Sequence, residues 1–454
     1  MDFSTLLLKR PTASLIGLGR SNTALAAYLS AHGIPFTVRE ARPFSALGEE
    51  GVRLARAGVQ FFTGDGYLDR LTEEFLFLSP VVRPDLPPIL EAARHGATVT
   101  SETALYSALT ERIFLGVTGS DGKTTTATLA HLLLKADRKN AALGGNIGKP
   151  LISFLDGEAA DGYTVAELSS FQLMTEMRPP RRAVITNLTP NHLNWHRDYD
   201  EYVEAKLRIL GEDTAAVLPA DDPFLFEKAK TCKFPTLFSL VRSHRELAAE
   251  VPNCHAVTIE LGDICIDGTP IGRADSIAVP GRHNRANFLA ALGLVYPYVS
   301  DIKSAFSKVA GEFHGVAHRL EFVGEIEGVR YYNSSIDSTP SRTAATLEAL
   351  GGCSILLCGG ADKGVPFTPL LSVVNGRVRS VVLFGAARKK IADALANCQP
   401  SVYVRLTFKE AVEEAKRLAR PGDTVLLSPA CTSFDEFRDF EERGECFRRL
   451  IYEK

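Results

Sequence analysis

The chain of 454 residues is too long for one ordinary core, and at roughly 150 residues per domain it predicts about three domains. Its 45% hydrophobic and 23% charged residues are typical of a soluble globular protein, which argues against a disordered or membrane-associated chain. The formal charge of -3 gives no long-range attraction to nucleic acid, so any anionic ligand must be held by local groups.

The cysteines and the first residues bear on the compartment. Eight cysteines are scattered along the chain without a C-x-x-C pair, which is the usage of a reducing compartment. The first nineteen residues lack a basic stretch, a long apolar run and a small-residue cleavage site, so we predict no export signal. A cytoplasmic protein is expected.

Three successive α/β segments follow one another along the chain. The first has an apolar strand at 14–19, a helix at 21–33 and a strand at 35–40, with further strands at 74–80 and 97–102. The second begins at Ile113 with a strand, a glycine-rich turn and a long helix. It continues through strands at 163–168 and 182–188 to a helix at 284–295.

The third segment repeats the alternation of strand and helix after a polar stretch at 311–324. Strands are predicted at 354–360, 380–385 and 423–430, with a helix at 409–419 and a last helix over 434–453. No repeat of 20 to 50 residues occurs. We therefore predict three doubly wound α/β domains at 1–100, 101–314 and 315–454, with a phosphate-loop domain in the centre.

A glycine-rich turn between the strand and the helix of the second segment predicts a nucleotide triphosphate site. Its residues are Thr118, Gly119, Ser120, Asp121, Gly122, Lys123, Thr124 and Thr125. Lys123 would neutralise the terminal phosphates, and the Thr124 hydroxyl would bind Mg²⁺. The strict motif needs glycine at 117, where Val117 stands. The alternative is a structural glycine turn with a solvated lysine.

Three further side chains are candidates for metal binding or catalysis. Glu167 ends a predicted strand, where open α/β sheets bind their ligands. His192 follows the next strand and could bind a second cation through a neutral nitrogen. His192 and His196 are spaced as in zinc peptidases, but Leu193 stands where those enzymes need glutamate. Lys206 alone would be read as a solvated helix lysine, and Glu167 alone as a capping residue.

Eight motifs occur in the order typical of one family. They are TGSDGKTTT (118–126), GGNIG (144–148), ELSSFQL (167–173), NLTPNHL (187–193), YVEAKLRIL (202–210), GRHNRAN (281–287), HRLE (318–321) and LSPACTSFDEF (427–437). Together they resemble the Mur ligase family, from the central segment to the C-terminus. ELSSFQL and the final motif resemble the branch of that family that adds D-glutamate.

The resemblance implies an ATP-dependent ligase that joins D-glutamate to UDP-N-acetylmuramoyl-L-alanine through an acyl phosphate in cell-wall synthesis, acting as a monomer. It implies two Mg²⁺ ions held by Thr124, Glu167 and His192, and a carbamate formed from CO₂ on Lys206 as a further ligand. Lys123, His192 and Lys206 would be the catalytic residues. The nucleotide would also contact Asn146, His283, Asn284, Asn287 and Arg319.

The resemblance assigns the incoming D-glutamate to four residues of the last segment: Ser338, Lys363, Ser433 and Phe440. Ser338 stands where close relatives carry threonine, so the hydroxyl is kept. Two departures concern ligand contacts. Ser334 and Ile336 stand where the family commonly has aspartate and lysine, although Asn333 matches, and Val81 stands where the family has glycine near the uridine.

The first segment admits three interpretations. Its strand-to-helix turn has the residues Gly17, Leu18, Gly19, Arg20 and Ser21, with Glu40 at the end of the next strand. These residues suit the UDP-sugar that the resemblance implies, a dinucleotide, or a structural turn, because Asn22 replaces the third glycine of the dinucleotide motif. Rival activities are a sister ligase, a nucleotide-sugar dehydrogenase that uses NAD, and a non-catalytic nucleotide switch.

Overall fold

The computed structural model describes residues 12–156, 161–279, 281–362 and 364–453. They form two compact units, the first ending at Phe313 and the second beginning at His314. The first unit contains two β-sheets and the second contains one. The predicted α/β class is confirmed, because helices alternate with sheets that are largely parallel. None of the helices in these ranges is long and apolar enough to cross a membrane.

The first sheet has five parallel strands in the order β3-β2-β1-β4-β5. Its strands are β1 (Ala13–Ile16), β2 (Phe36–Glu40), β3 (Gln60–Thr63), β4 (Phe75–Leu78) and β5 (Thr98–Thr100). The accompanying helices are α1 (Arg20–Ala31), α2 (Gly48–Arg56), α3 (Pro87–Arg94) and α4 (Glu102–Leu109). The central strands β1 and β4 are buried along their whole length, as expected for a parallel sheet covered on both faces.

The second sheet has nine strands in the order β14-β13-β12-β11-β10-β9-β6-β8-β7, of which the last seven are parallel. They are β6 (Ile113–Thr118), β7 (Ala141–Gly145), β8 (Tyr163–Glu167), β9 (Arg182–Ile185), β10 (Ala215–Pro219), β11 (Pro235–Ser239), β12 (His255–Glu260), β13 (Asp263–Ile266) and β14 (Thr269–Arg273). The helices are α5 (Lys123–Ala136), α6 (Tyr199–Leu207), α7 (Pro223–Ala229), α8 (His244–Glu250), α9 (Arg282–Val295) and α10 (Ile302–Glu312).

The second unit contains a six-stranded sheet in the order β15-β16-β20-β17-β18-β19, parallel except for the hairpin of β15 and β16. The strands are β15 (Glu321–Ile326), β16 (Val329–Asn333), β17 (Cys353–Gly359), β18 (Val378–Phe384), β19 (Ser401–Val404) and β20 (Thr424–Ala430). The helices are α11 (Pro340–Leu350), α12 (Thr368–Val374), α13 (Arg388–Ala394), α14 (Phe408–Leu418) and α15 (Phe440–Tyr452).

The last helix begins later than the sequence pattern predicts. We predicted a helix from 434, but α15 starts at Phe440. The Asp439 side chain accepts a hydrogen bond from the backbone N–H of Glu442 and caps the helix there. Ahead of it, the backbone N–H groups of Glu436 and Phe437 donate to the Ser433 carbonyl and close a turn instead.

A buried carboxyl group lies where the chain passes from the first sheet to the second. Glu102 is 2% exposed at the start of α4, and it accepts a hydrogen bond of 2.6 Å from the backbone N–H of Ile152. Burial raises the pKa of Glu102 to about 7, because the charged form loses its hydration. The group therefore favours the folded state when it is protonated.

Replacing this carboxyl group should change how stability depends on pH. A raised pKa stabilises the fold fully below the ordinary value of 4.5, and that contribution is lost as the pH rises through about 7. Glu102→Gln keeps an oxygen for Ile152 but cannot ionise, so it should be the more stable protein at pH 8, by about 3 kcal/mol at most.

Thermal unfolding at pH 5 and pH 8 checks this prediction, with Glu111→Gln as a control on an exposed glutamate two residues beyond α4. The difference between Glu102→Gln and the unsubstituted chain should grow with pH. An equal difference in stability at pH 5 and pH 8 would mean that the pKa of Glu102 is not raised in the folded protein.

Candidate active site

The glycine-rich turn lies between β6 and α5, as predicted, and two of its glycines are required by geometry. Gly119 has a φ of +141°, and a Cβ there would lie 1.9 Å from the hydroxyl oxygen of Thr186. Gly122 has a φ of +76°, and its Cβ would lie 2.3 Å from the Asn287 side-chain oxygen. Only glycine fits these positions, because L residues avoid such backbone angles and the space is already filled.

The segment after β9 holds the turn in place. The backbone N–H groups of Ser120 and Asp121 donate to the carbonyl and side-chain oxygens of Asn187, at 3.0 and 2.9 Å. The Thr186 hydroxyl donates to the Asp121 carbonyl at 2.5 Å. Sequence reasoning identified NLTPNHL as a family motif but gave no role to Asn187 or to Thr186, which precedes it. These two residues fix the shape of the turn.

The start of α5 is suited to a phosphate group. Its N-terminal cap is Gly122, which offers no side chain to the first backbone N–H groups of the helix, and these groups carry a partial positive charge. Lys123 donates from Nζ to the Ser120 carbonyl at 2.7 Å, so its charge lies within the turn. Thr124 is buried beside it, and Thr125 follows half-buried.

A cavity of about 190 Å³ adjoins the turn. It is lined by Asp121, Gly122, Thr186, Asn187, Phe238, His283, Ala286, Asn287 and Ala290. His283 and Asn287 come from α9, as the family resemblance implies, whereas Asn284 on the same helix is not among the lining residues. Phe238 in β11 was missed, because a phenylalanine in a buried strand carries no sequence signal of ligand contact. The mixture of apolar and amide groups suits a heteroaromatic base.

Glu167 presents an unsatisfied carboxylate oxygen. The residue is 1% exposed, and its Oε1 accepts a hydrogen bond of 2.7 Å from the Asn146 side chain. Its Oε2 is buried with no hydrogen-bond partner among the residues that the structure describes. A buried carboxylate oxygen without a donor is costly, so this atom fits a cation ligand. Asn146 orients the carboxylate and lies outside the cavity.

Lys206 lies beneath the phosphate loop in a nearly closed environment. It is 2% exposed, and Nζ donates to the Gly119 carbonyl at 2.7 Å and approaches the Thr118 hydroxyl at 3.4 Å. Burial, and secondarily the positive charge of Lys123, lower the pKa of Lys206 to about 7. A lysine of this kind is partly neutral near pH 7 and is therefore a nucleophilic amine.

His192 differs in position from the other two candidates. It is exposed, has a φ of +55°, and its ring lies 4.9 Å from the Phe171 ring. In the described ranges, no group of three or more His, Cys, Asp or Glu side chains is arranged to hold a metal ion. A metal ion at this site would consequently need oxygen ligands from a hydroxyl, a modified lysine or bound phosphate.

A second cavity, of about 510 Å³, lies at the carboxyl ends of β1 and β4. Its lining includes four of the residues predicted for the UDP-sugar, Gly17, Leu18, Gly19 and Glu40, together with Ala41, Arg42, Tyr67, Ser79, Val81, Val82, Arg83, Leu86 and Trp195. Glu40 is committed to the loop itself, because its carboxylate accepts hydrogen bonds from the Leu18 N–H at 2.8 Å and the Arg42 guanidinium at 3.0 Å.

Three further residues of this region, Arg20, Ser21 and Asn22, do not line the cavity. The Arg20 guanidinium donates to the Gly145 and Asn146 carbonyls, at 3.3 and 3.1 Å, and Ser21 follows it in the first turn of α1. Asn22, in place of the third glycine, is fully buried and donates to the Gly17 carbonyl at 2.8 Å. It therefore stabilises the turn that a glycine would only permit.

The second unit collects the candidate amino-acid-binding residues around the ends of β16 and β20. Ser433 is 3% exposed, Ser338 is half-buried, and the Phe440 ring packs edge-on against His318 at 6.2 Å. Lys363 lies outside the described residues. Arg319 is exposed in the segment before β15.

Arg443 organises this region and was not predicted. It is fully buried, and its guanidinium donates to the Ser335 hydroxyl at 3.0 Å and the Thr432 carbonyl at 3.1 Å. It thereby ties the Ser334–Ser335 segment to the segment that carries Ser433. Sequence reasoning missed it because an arginine in a charged helix pattern is ordinarily solvated.

The fold and the phosphate loop define a nucleotide-binding α/β protein, and comparison with known proteins identifies its family. The model of the Mur ligase middle domain matches residues 117–295, and that of the Mur ligase glutamate ligase domain matches residues 318–431. Together they cover more than half of the chain. The chain belongs to the Mur ligase family, which confirms the resemblance inferred from its motifs.

Relatives match over nearly the whole chain. The UDP-N-acetylmuramoylalanine–D-glutamate ligase of Symbiobacterium thermophilum is 40% identical over 448 residues, covering 97% of each chain. The enzymes of the same name from Clostridium perfringens and Ruminiclostridium cellulolyticum are 38% and 36% identical, each covering 98% of this chain and 97% of their own.

Solved structures support the fold. The UDP-N-acetylmuramate–alanine ligase of Thermotoga maritima superimposes with a TM-score of 0.56 at 19% identity, covering 97% of this chain and 99% of its own. The MurF ligase of the same organism, solved in complex with ADP, gives a TM-score of 0.52 at 16% identity and covers 98% of each chain.

Enlarging Gly122 should weaken nucleotide binding. Gly122→Ala puts a methyl group against Asn287, which lines the small cavity, and also strains a left-handed backbone angle. We expect the affinity for a non-hydrolysable ATP analogue to fall by about tenfold or more, measured by calorimetry.

Gly48→Ala is the matched control, because Gly48 has a φ of +62° and open space around its Cβ. It should lose comparable stability through backbone strain yet bind the analogue normally. If both variants bind the ATP analogue with equal affinity, Gly122 does not belong to the nucleotide site.

Proposed function

We propose that this chain ligates D-glutamate to UDP-N-acetylmuramoyl-L-alanine, with conversion of ATP to ADP and phosphate, in peptidoglycan precursor synthesis. The relatives that match it over nearly its whole length are named as ligases of this specificity. The observation that carries the proposal is the phosphate loop with a buried amine below it and an unsatisfied carboxylate oxygen nearby. A strand, a loop and a helix bring these groups together as phosphoryl transfer requires.

The residues of the loop suit ATP with Mg²⁺. Thr118 to Thr125 would hold the phosphates, and the cavity with His283 and Asn287 would take the base, with Asn284 and Arg319 as further contacts. Thr124 and the free oxygen of Glu167 would bind one Mg²⁺ ion. His192 and a carbamate on Lys206 would bind a second. When bound, Mg²⁺ supplies positive charge that offsets the repulsion between the substrate carboxylate and the γ-phosphate.

The chain's own groups account for the first half of the reaction. Lys123 and the N-terminal end of α5 neutralise charge on the phosphate that is transferred, so the substrate carboxylate can attack phosphorus and release ADP. The product is an acyl phosphate. No protein nucleophile is needed, because the substrate carboxylate is itself the nucleophile.

The second half of the reaction needs an amine held near the acyl carbon. Ser338, Lys363, Ser433 and Phe440 of the last domain would bind D-glutamate, with a cation and hydroxyl groups for its carboxylates. Its amine then attacks the acyl carbon, and the tetrahedral adduct collapses to an amide and phosphate. Water must be kept from the acyl phosphate while this happens.

The first sheet would supply the UDP-sugar site. The cavity lined by Gly17, Leu18, Gly19 and Glu40 is large enough for a nucleotide moiety, and Arg20 and Ser21 would act at its edge. Glu40 is occupied by its own loop, which disfavours the dinucleotide interpretation, because that role needs the carboxylate for a ribose hydroxyl. We accordingly assign 1–100 and 315–454 to Rossmann-like domains for the UDP-sugar and the amino acid, and 101–314 to ATP. The cytoplasmic location and the monomeric state remain predictions.

Phosphate release tests the reaction and its specificity together. With ATP, Mg²⁺ and UDP-N-acetylmuramoyl-L-alanine present, release should require D-glutamate, and mass spectrometry should find the amide product. Dependence on another amino acid would keep the family and change the step. Release that ignores every amino acid would overturn the ligase proposal.

Removing the Lys206 amine tests the carbamate. Lys206→Ala should lose nearly all activity, and short-chain carboxylic acids should restore part of it by occupying the space of the carbamate. The unsubstituted enzyme should also lose activity when CO₂ and bicarbonate are removed. Full activity of Lys206→Ala at low bicarbonate, without an effect of added acids, would eliminate this modification.

A further inference from the structure

An arginine bridge joins the loop after β4 to the segment that precedes and begins α6. Arg83 donates to the carboxylate of Glu201 at 2.8 and 3.1 Å and to the Trp195 carbonyl at 2.6 Å. On its own loop it also binds Asp85 at 2.7 and 2.8 Å. Residues more than a hundred positions apart in the sequence are therefore held by one guanidinium group.

The bridge is partly removed from water. The Glu201 side chain is 7% exposed and that of Arg83 is 19% exposed. The hydrogen bond from Arg83 lowers the pKa of Glu201 far below its ordinary range. Two parallel N–H to oxygen contacts between nearly buried charges are stronger and more directional than a surface ion pair. This geometry fixes position as well as adding stability.

Trp195 adds a second connection between the same two segments. Its indole N–H donates to the Val81 carbonyl at 3.1 Å, and the Arg83 guanidinium lies 4.9 Å from its ring centre. The ring also packs against Phe171 at 4.5 Å, which in turn contacts the His192 ring. Trp195 is the only tryptophan in the sequence.

The two segments belong to different parts of the reaction. Val81, Arg83 and Trp195 line the second cavity, at the carboxyl ends of β1 and β4. Glu201 lies on α6, five residues before Lys206, whose amine contacts the phosphate loop. A shift of the bridge would therefore change the distance from the sugar-nucleotide cavity to the γ-phosphate.

We propose that Arg83, Glu201 and Trp195 are positioning residues that hold the UDP-sugar substrate in register with the phosphate loop. This proposal rests on the proposed function, because it assigns the cavity to the sugar nucleotide. The carboxylate of the substrate must come within about 3.5 Å of phosphorus to react. A small displacement of the cavity should therefore lower the reaction rate strongly. None of the three residues lines the cavity that we assign to the ATP base, so the KM for ATP should stay unchanged.

Arg197 offers a matched control, because it is a second arginine that pairs with Glu201. It also pairs with Glu201, at 2.6 Å, but its side chain is 71% exposed. Among the described residues its guanidinium hydrogen-bonds only Glu201, so it has no bond to the loop of Arg83. Arg197→Ala removes a charge partner of Glu201 and leaves the bridge intact.

The experiment compares Arg83→Ala, Glu201→Gln and Arg197→Ala in the full chain, with kcat and KM measured for all three substrates. The two bridge variants should raise the KM for UDP-N-acetylmuramoyl-L-alanine by about tenfold and lower kcat several-fold, with the KM for ATP unchanged. The double variant Arg83→Ala/Glu201→Gln should be less impaired than the sum of the two single variants predicts, because both single variants disrupt the Arg83–Glu201 pair. Arg197→Ala should behave as the unsubstituted enzyme.

Trp195 fluorescence provides a readout that does not depend on catalysis. Titration with UDP-N-acetylmuramoyl-L-alanine, and with UDP alone, should change the emission of the unsubstituted chain, and the bridge variants should need about tenfold more sugar nucleotide. If Arg83→Ala does not fold, Glu201→Gln carries the test, because it keeps the shape of the side chain.

The proposal is overturned if the bridge variants raise the KM for all three substrates equally, or if Arg197→Ala changes kcat and KM as much as they do. The bridge would then be a structural contact only. Failure of the proposed function looks different: the unsubstituted chain would then ligate no D-glutamate. In that case an emission change with UDP that is weakened in the bridge variants supports the positioning role, and its absence contradicts it.

Discussion

The chemistry of the central site depends on one electrostatic constraint, which is the placement of two lysines around a single loop. Lys123 lies within the turn, and Lys206 is buried below it, where its amine donates to the Gly119 carbonyl. Burial and mutual repulsion lower the pKa of Lys206 to about 7. The glycines at 119 and 122 permit this crowding, and the carboxylate of Glu167, which has one unsatisfied oxygen, lies within electrostatic range of Lys206. Anionic phosphate and a divalent cation are the partners that such an arrangement accommodates.

Much of the architecture could be predicted because it is local in sequence. The strand at Tyr163–Glu167, the helix at Arg282–Val295 and the turn before Lys123 follow from hydrophobic periodicity and glycine placement, and they occur within two residues of the predicted bounds. The start of the last helix could not be found in this way. Its apolar and charged pattern continues back to Phe434, but the Asp439 cap, recognisable only with the turn at Ser433, decides where it begins.

The candidate site was only partly predictable, since several of its groups act through partners distant in sequence. Ser120 bonds to the Tyr202 hydroxyl at 2.7 Å, and Asn187 orders the phosphate loop, yet neither pairing leaves a spacing that a motif could reveal. The Arg83 bridge to Glu201 spans 118 positions. Glu40 shows the converse: it stands at a strand end and lines the second cavity, but its carboxylate already accepts hydrogen bonds from the Leu18 N–H and the Arg42 guanidinium. Strand ends identify where a site lies, but hydrogen bonds decide which residues remain available.

Two of the buried cations, Arg443 and Lys206, illustrate that distinction. Arg443 has four hydrogen bonds recorded to Ser335, Cys431 and Thr432, so its donors are satisfied by fixed protein oxygens. Burial lowers its pKa to about 10, which leaves it charged at neutral pH and confined to holding segments together. Lys206 has one short hydrogen bond and a long one, and loses its proton near neutral pH. Arg443 and Lys206 are about equally buried. Only Lys206 is partly neutral near pH 7, and the neutral amine has the nitrogen lone pair that reaction with CO₂ requires.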